Sequence, residues 1–338
     1  MNSKQSRKAI LALLAILLLI GVAIRDGTTV AAAEEHTLFG VAFSLEDEEL
    51  DLSYIRIGDD WPEVLEAARK MPNLKRLVMD SCGVQNEDMA VIRDALPDTE
   101  VVWRINFGLY YTALTDETRI LASSPSVGGN VTNHDVEKFK YFTKMKYLDI
   151  GHNETITDLS FVRYMPDLEV LIVAMNPLVD LTPLADCENL EYLELFYTRI
   201  TDLSPLAELP NLRHLNVGHC PFLKDITAVY DLDLERFYLG SFLSCPVPPE
   251  QVDHYRELHP DCEVENTYYE SSEGAWRKAA NLEGEKLEWY MKQPYYSEAR
   301  KAYAPRYALL RDQMEYDTLN YSIKLHDPSY HYVSWEIK

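Results

Sequence analysis

The side chains able to do chemistry in this chain are numerous, but no motif assembles them into a reaction centre. GxSxG, HExxH, GxGxxG, P-loop and EF-hand patterns are all absent from the sequence. His152 and His219 hold equivalent turn positions three repeats apart. At ~4.8 Å per strand they would stand roughly 14 Å from each other, too far to share a metal ion. The cysteines are Cys82, Cys187, Cys220, Cys245 and Cys262, an odd number without a CxxC pair, so no zinc framework is expected. Cys245 with Cys262 is the one pair considered for a disulfide. Three Asn-x-Ser/Thr patterns, at Asn130, Asn153 and Asn320, match glycosylation acceptors by spacing alone, and carboxylate pairs such as Glu191 and Glu194 are common in so acidic a chain. The reading is therefore no catalytic residues, no metal and no cofactor. Recognition remains, and its candidates are Trp103, Tyr147, Val170, Ile172, Met175, Tyr192, Glu194, Phe196, Tyr197 and Tyr238.

These residues are placed by a repeat. Between residues 145 and 240, an L-x-x-L-x-L pattern begins at Met145, Leu168, Leu190, Leu212 and Leu234, in steps of 23, 22, 22 and 22 residues. Pairs such as Leu171/Val173 and Leu193/Leu195 alternate at period two and must share one buried side, which stacked copies cover jointly. Asp158, Asp180, Asp202 and Asp225 open the return segments, where Thr182-Pro183 and Ser204-Pro205 read as starts of short helical turns. Asn153, Asn176, Thr198 and Cys220 occupy the inward bend position, with Cys82 on an upstream copy, while Cys187 reads as core. The expected fold is an α/β leucine-rich-repeat solenoid, a horseshoe with parallel strands on its concave face and short helices or 3-10 turns on its convex face. The intervening strand positions then face the concave side, where Val170, Ile172, Tyr192 and Phe196, with Met175 and Tyr197 beside them, form a contiguous exposed apolar patch. Such a patch marks a partner site, unless the C-terminal tail or residues 107–130 fold over it.

Of 338 residues, 32 are Lys or Arg and 55 are Asp or Glu, a net charge of −23 that disfavours nucleic-acid phosphate as a partner. Lys4, Arg7 and Lys8 precede an apolar run from Ala9 to Ile24 and Ala31-Ala32-Ala33, the pattern of a signal peptide cleaved near Glu34, with a retained signal anchor as the alternative. Residues 1–33 are thus read as targeting, 34–265 as the repeat domain and 266–338 as a C-terminal cap. The upstream repeats are longer, about 25–28 residues, with helices at 61–71 and 86–93; residues 107–141 are the least regular part of the array. A last outer helix is expected at 249–258 and a final strand near Val264. The tail holds Trp276, Trp289, Trp335 and eleven of the 22 tyrosines, with helical stretches expected at 275–291 and 297–314.

The central block resembles the internalin-like, short-repeat class of leucine-rich-repeat proteins, and residues 99–153 resemble a group of such proteins from Gram-positive gut anaerobes. That resemblance implies secretion and binding and brings no known active site. The expected function is a secreted or cell-surface binding module for a protein, peptide or glycan, reaching the membrane only if the N-terminal segment is retained. A surface enzyme with its catalytic residues in the tail and a structural envelope component are the alternatives.

Overall fold

The computed structural model describes residues 35–109, 111–123, 131–240 and 244–266. It also gives the backbone of two antiparallel pairs, Ala23–Arg25 with Thr28–Val30 and Tyr316–Asp317 with Ser322–Ile323. Residues 1–33, expected to be a targeting segment (apart from that first pair), the loop 124–130 and the helical cap expected at 275–291 and 297–314 lie outside the described residues. The chain forms two compact units, Met1–Trp103 and Arg104–Lys338.

In the N-terminal unit, β1 (Glu35–Leu38) and β2 (Val41–Ser44) form a hairpin. Its two-residue turn places both Phe39 and Gly40 at positive φ, which gives the strands a compatible twist. Three parallel strands follow: β3 (Glu49–Asp51), β4 (Arg76–Val78) and β5 (Glu100–Val102). Their central residues Leu50, Leu77 and Val101 are in register and buried. Helix α1 (Trp61–Ala68), with Pro62 in its first turn, contributes Val64, Leu65 and Ala68 to that core; α2 (Asn86–Ala95) contributes Met89 and Ile92.

The C-terminal unit opens with a second hairpin, β6 (Arg104–Phe107) and β7 (Tyr111–Leu114), whose turn and second strand fall in the stretch expected to be irregular. Phe107 anchors it by packing edge-on against Phe139 at 5.0 Å and Phe142 at 6.1 Å. A seven-stranded, all-parallel sheet follows in strict chain order: β8 (Arg119–Leu121), β9 (Tyr147–Asp149), β10 (Val170–Ile172), β11 (Tyr192–Glu194), β12 (His214–Asn216), β13 (Arg236–Tyr238) and β14 (Glu263–Glu265). Parallel stacking therefore runs in two sheets, separated in sequence by the β6–β7 hairpin.

The core of this sheet is the buried column Ile120, Leu148, Leu171, Leu193, Leu215 and Phe237, closed at its edge by the half-buried Val264, each in register with the next. Burial of one such leucine contributes about 2 kcal/mol. Return segments are mostly single 3-10 turns, at Ser160–Tyr164, Thr182–Leu184, Ser204–Leu206 and Thr227–Val229. A 22-residue repeat leaves little chain for more. Each is opened by an aspartate: Asp158, Asp180, Asp202 and Asp225 accept the N–H of the residue two ahead at 2.8, 2.8, 2.8 and 2.9 Å. The Thr182 hydroxyl and N–H hold the Asp180 carboxyl, and the Thr227 N–H and hydroxyl the Asp225 carboxyl, below the usual carboxylate range. Longer helices return at the ends, as α3 (Asn133–Val136), which runs on into a 3-10 turn at Glu137–Tyr141, and α4 (Pro249–Leu258).

The bend ladder is as the sequence implies. Asn153 Nδ2 donates to the carbonyls of Ala122, Ile150 and Gly151 at 3.0, 2.9 and 3.2 Å, while its Oδ1 accepts from Val131 N–H at 2.8 Å. Asn176 repeats the arrangement one strand on. Thr198 Oγ donates to Leu195 O at 2.8 Å, and Cys220 Sγ reaches the same carbonyl at 3.2 Å. Without these side chains the bend would bury unpaired backbone groups.

Candidate functional site

With one residue of each strand turned to the core, its two neighbours form outer columns on the opposite side. The first runs Arg119, Tyr147, Val170, Tyr192, His214, Arg236, Glu263; the second runs Leu121, Asp149, Ile172, Glu194, Asn216, Tyr238, Glu265. Eight of the ten sequence candidates thus come together on or beside one sheet. Tyr147, Val170, Ile172, Tyr192, Glu194 and Tyr238 lie in the columns, and Phe196 and Met175 pack into the same cluster with Leu121 and Ala174. Tyr197 stands just past the strand end at 58% exposure, beside Phe196. Trp103 is elsewhere: it follows β5 in the N-terminal unit, buried, with its Nε1 donating to Asn86 Oδ1 at 3.1 Å.

The patch is contiguous, but the expectation that it is exposed is wrong. Val170, Ile172 and Tyr192 are 1%, 2% and 2% exposed and Phe196 9%. The polar members are covered too, with Glu194 at 0% and Arg236 at 1%. A lone parallel sheet cannot do this, because its outer side chains stand clear of the backbone plane.

The columns carry their own geometry. Tyr192 and His214 stack with centroids 4.1 Å apart and planes 8° off parallel. Arg236 sits over the Tyr238 ring at 5.6 Å, a cation–π contact. Glu194 accepts from Asn216 Nδ2 at 3.3 Å. Asp149 and Asn216 each accept the N–H two residues on, from Gly151 and Gly218, at 2.9 Å. Gly218 has to be glycine: a Cβ there would lie 2.9 Å from the Tyr238 ring. Tyr192, Glu194, His214, Arg236 and Tyr238 each engage in at least one interaction besides those named here. Sequence reasoning put His214, Arg236, Asp149 and Asn216 on the same side by the strand alternation that found Tyr192, but left them out of the candidate set, which favoured the aromatic and apolar members.

At the ends of the strands, His152, Met175, Tyr197 and His219 all take left-handed backbone, with φ of 57°, 56°, 57° and 56°. Bulky residues rarely do so. The turn requires it, since the N–H groups of His152, Met175 and Tyr197 must reach Ala174, Phe196 and Gly218 carbonyls in the next repeat at 2.8, 2.7 and 2.9 Å. Tyr197, Phe196 and His219 form a ring cluster there, with Phe196 and His219 centroids 5.0 Å apart. Burial lowers the His219 pKa from its usual value.

Other chemistry is weaker. A polar groove of about 440 Å³ at the opposite strand ends is lined by Lys146, Glu169, Asn189, Asn211 and Arg213 among others. Its members are engaged structurally: Lys146 pairs with Glu169 at 2.8 Å, and the Asn189 and Asn211 amides bond the Pro166 and Glu188 carbonyls at 2.9 Å. All five cysteines are free, so Cys245 and Cys262 are not joined. Burial pushes the thiols of Cys82, Cys187 and Cys220 up to about 11 and those of Cys245 and Cys262 up to about 12, which makes them poor nucleophiles. Among the described residues no cluster of His, Cys, Asp and Glu could hold a metal ion, and no helix is long and apolar enough to cross a membrane.

Residues 188–231 match the family model described as Leucine Rich repeats (2 copies). No curated protein matches the chain. Among solved structures, the chain is similar to an internalin (inlF) from Listeria monocytogenes at 20% identity and a TM-score of 0.37, over 65% of this chain and 55% of that one. It is similar to a leucine-rich-repeat protein of Leptospira interrogans at 20% identity and a TM-score of 0.38, over 59% and 50%. Internalin C2 from Listeria monocytogenes gives 20% and 0.31, over 69% and 80%. The chain spans about half the length of the first two. The in-register parallel strands, the bend ladder and the family match at 188–231 together make the fold a leucine-rich-repeat solenoid.

Proposed function

We propose that this protein is a non-catalytic, extracytoplasmic binding module that holds a protein or peptide partner on the outer face of the seven-stranded sheet. One observation carries the reading. The outer columns gather aromatic, apolar and charged side chains that the repeat itself does not need, because the core column and bend ladder already satisfy it. The contact residues are Tyr147, Val170, Ile172, Met175, Tyr192, Glu194, Phe196, Tyr197 and Tyr238. Trp103, bonded to Asn86 in the other unit, is left out. The basic start and apolar run of residues 4–24 support export, with 34–265 as the repeat domain and the remainder as an appended cap.

Photo-crosslinking in the native envelope tests this. Benzoylphenylalanine in place of Tyr197, which is exposed beside the face, should capture a partner; in place of Tyr164, exposed on a 3-10 return turn, it should not. Capture at Tyr197 should be lost in the Tyr192→Ala, Phe196→Ala double variant. Equal capture at both positions, or none at Tyr197, would remove the outer face as the binding site.

A further inference from the structure

We propose that the outer face of the seven-stranded sheet is the docking surface for the chain's own C-terminal segment, residues 267–338, seated through its basic, tyrosine-rich stretch 295–311. The inference does not rest on the binding reading but concerns the same face: a partner contacting Tyr192 or Glu194 would have to displace the segment, and the experiment below separates the two. Its starting point is the near-complete burial of the middle of that face. Val170, Tyr192, Glu194, Arg236 and Tyr238 are all covered, yet the principal element contacts of their strands run sideways to neighbouring strands. The equivalent columns of the N-terminal sheet are more open, with Glu49 and Asp51 exposed, Arg76, Val78 and Glu100 half-buried and only Val102 covered.

Length decides what can cover the face. Seven strands at ~4.8 Å spacing make it roughly 29 Å across. Within the same compact unit, Arg104–Lys338, the described residues leave out position 110, segments 124–130 and 241–243, and, apart from the backbone of Tyr316–Asp317 and Ser322–Ile323, the 72 residues that follow Asn266. Seven residues reach about 25 Å even when fully extended, and both ends of 124–130 are fixed beside β8 and α3. The C-terminal segment begins one residue past β14, at one edge of the face, and has ample length to cross it.

Charge and composition agree. The chain's excess of acid lies almost wholly before this segment: 10 of the 32 basic and 11 of the 55 acidic residues follow Asn266. Within 295–311, Arg300, Lys301, Arg306 and Arg311 face a single acid, Glu298, with Tyr295, Tyr296, Tyr303 and Tyr307 between them. The sheet offers four column carboxylates, Asp149, Glu194, Glu263 and Glu265, against the guanidinium groups of Arg119 and Arg236. A carboxylate as buried as Glu194 is stable there only beside a cation or several donors, and tyrosines interleaved with arginines suit the apolar stretch from Val170 to Phe196.

The test uses the full chain with a protease site placed between Asn266 and Thr267. After folding and cleavage, the C-terminal fragment should co-elute with the repeats at micromolar concentration, with the circular dichroism spectrum unchanged. A fragment released at once, from repeats that stay folded, would overturn the proposal. Glu194→Gln should weaken retention at least tenfold, whereas Glu49→Gln, on the open outer side of the N-terminal sheet, should leave it unchanged; equal retention in both would move the segment off this face. Because Glu194→Gln can also loosen the sheet, benzoylphenylalanine in place of Tyr238 gives an independent reading. Irradiation of the purified monomer should link it within the same chain to peptides from 267–338. Links to a second copy, to residues 1–34, or within the repeats alone would each overturn the assignment. An external partner found without cis retention would leave the binding reading standing and sink this one; cis retention without any partner would do the reverse.

Discussion

The three-stranded and seven-stranded sheets are built by the same rules and differ on one side. Both put an in-register apolar column inward: Leu50, Leu77 and Val101 in one, Leu148 through Phe237 in the other. Both use the bend position, where Cys82 Sγ reaches Leu52 O at 3.0 Å as Asn176 reaches Ile150 O at 3.0 Å. Both turn the chain through left-handed residues, Tyr54 and Ser81 in the first, Met175 and Tyr197 in the second. The outer columns part company. In the N-terminal sheet their charges are exposed or half-buried, including an Arg76–Glu100 ion pair of the kind that contributes little to stability, and only Val102 is covered. In the C-terminal sheet the central members, from Val170 and Ile172 to Arg236 and Tyr238, are rings, apolar groups and charges covered almost completely, while Arg119, Tyr147 and Glu265 toward the edges are half-buried. The inner column and ladder are therefore the stability code of the repeat, and the outer columns are free to carry something else.

The largest effect should ignore this difference. Leu193→Asp and Leu77→Asp each put an unpaired carboxylate into a shared core and should cost about 3–5 kcal/mol or unfold their unit, read by thermal melting. A mild Leu77→Asp would mean that the two sheets are not built alike. Next, Asn176→Ala strips bonds from Ile156 N–H and from buried carbonyls and should cost about 2–3 kcal/mol, whereas Cys82→Ala, which loses one weak thiol donor, should cost about 1 kcal/mol or less.

The outer columns give the sharpest contrast. Glu194→Ala should lower stability by about 1–3 kcal/mol by unpairing a covered network, and Glu49→Ala should change it by under about 0.5 kcal/mol. Read from sequence alone, Glu194 is a solvent-facing side chain whose loss is harmless; equal chemical melts for the two variants would restore that view.

The smallest effect is electrostatic. Burial lowers the folded-state pKa of His219, so the unfolded chain binds the proton more readily. Its share of stability is complete above the unfolded value near 6.5 and declines as pH falls below it toward the folded value. His219→Asn should flatten the stability profile over that window, and an unchanged slope would show that the ring is not held away from water by Phe196 and Tyr197.

The sequence by itself determined the repeat, because period two within a strand and a period of 22 between strands follow from backbone geometry and need no partner outside the array. It placed the ladder at Asn153, Asn176, Thr198 and Cys220, since any buried bend must satisfy its own carbonyls. It also assigned Tyr192 and Glu194 to the outer side of one strand. Three things were decided by tertiary structure. The hairpins Glu35–Leu38 with Val41–Ser44 and Arg104–Phe107 with Tyr111–Leu114 were missed because each strand is four residues long. The turn of the first is Phe39-Gly40, which carries no strong turn signal, and the second is fixed by Phe107 docking on Phe139 and Phe142. The parting into two sheets follows from that second hairpin. The covering of the outer columns was illegible for a deeper reason: alternation tells which way a side chain points, but whether that side meets water depends on chain far away in sequence, and Glu194 at 0% exposure and Glu49 in the open share one local pattern.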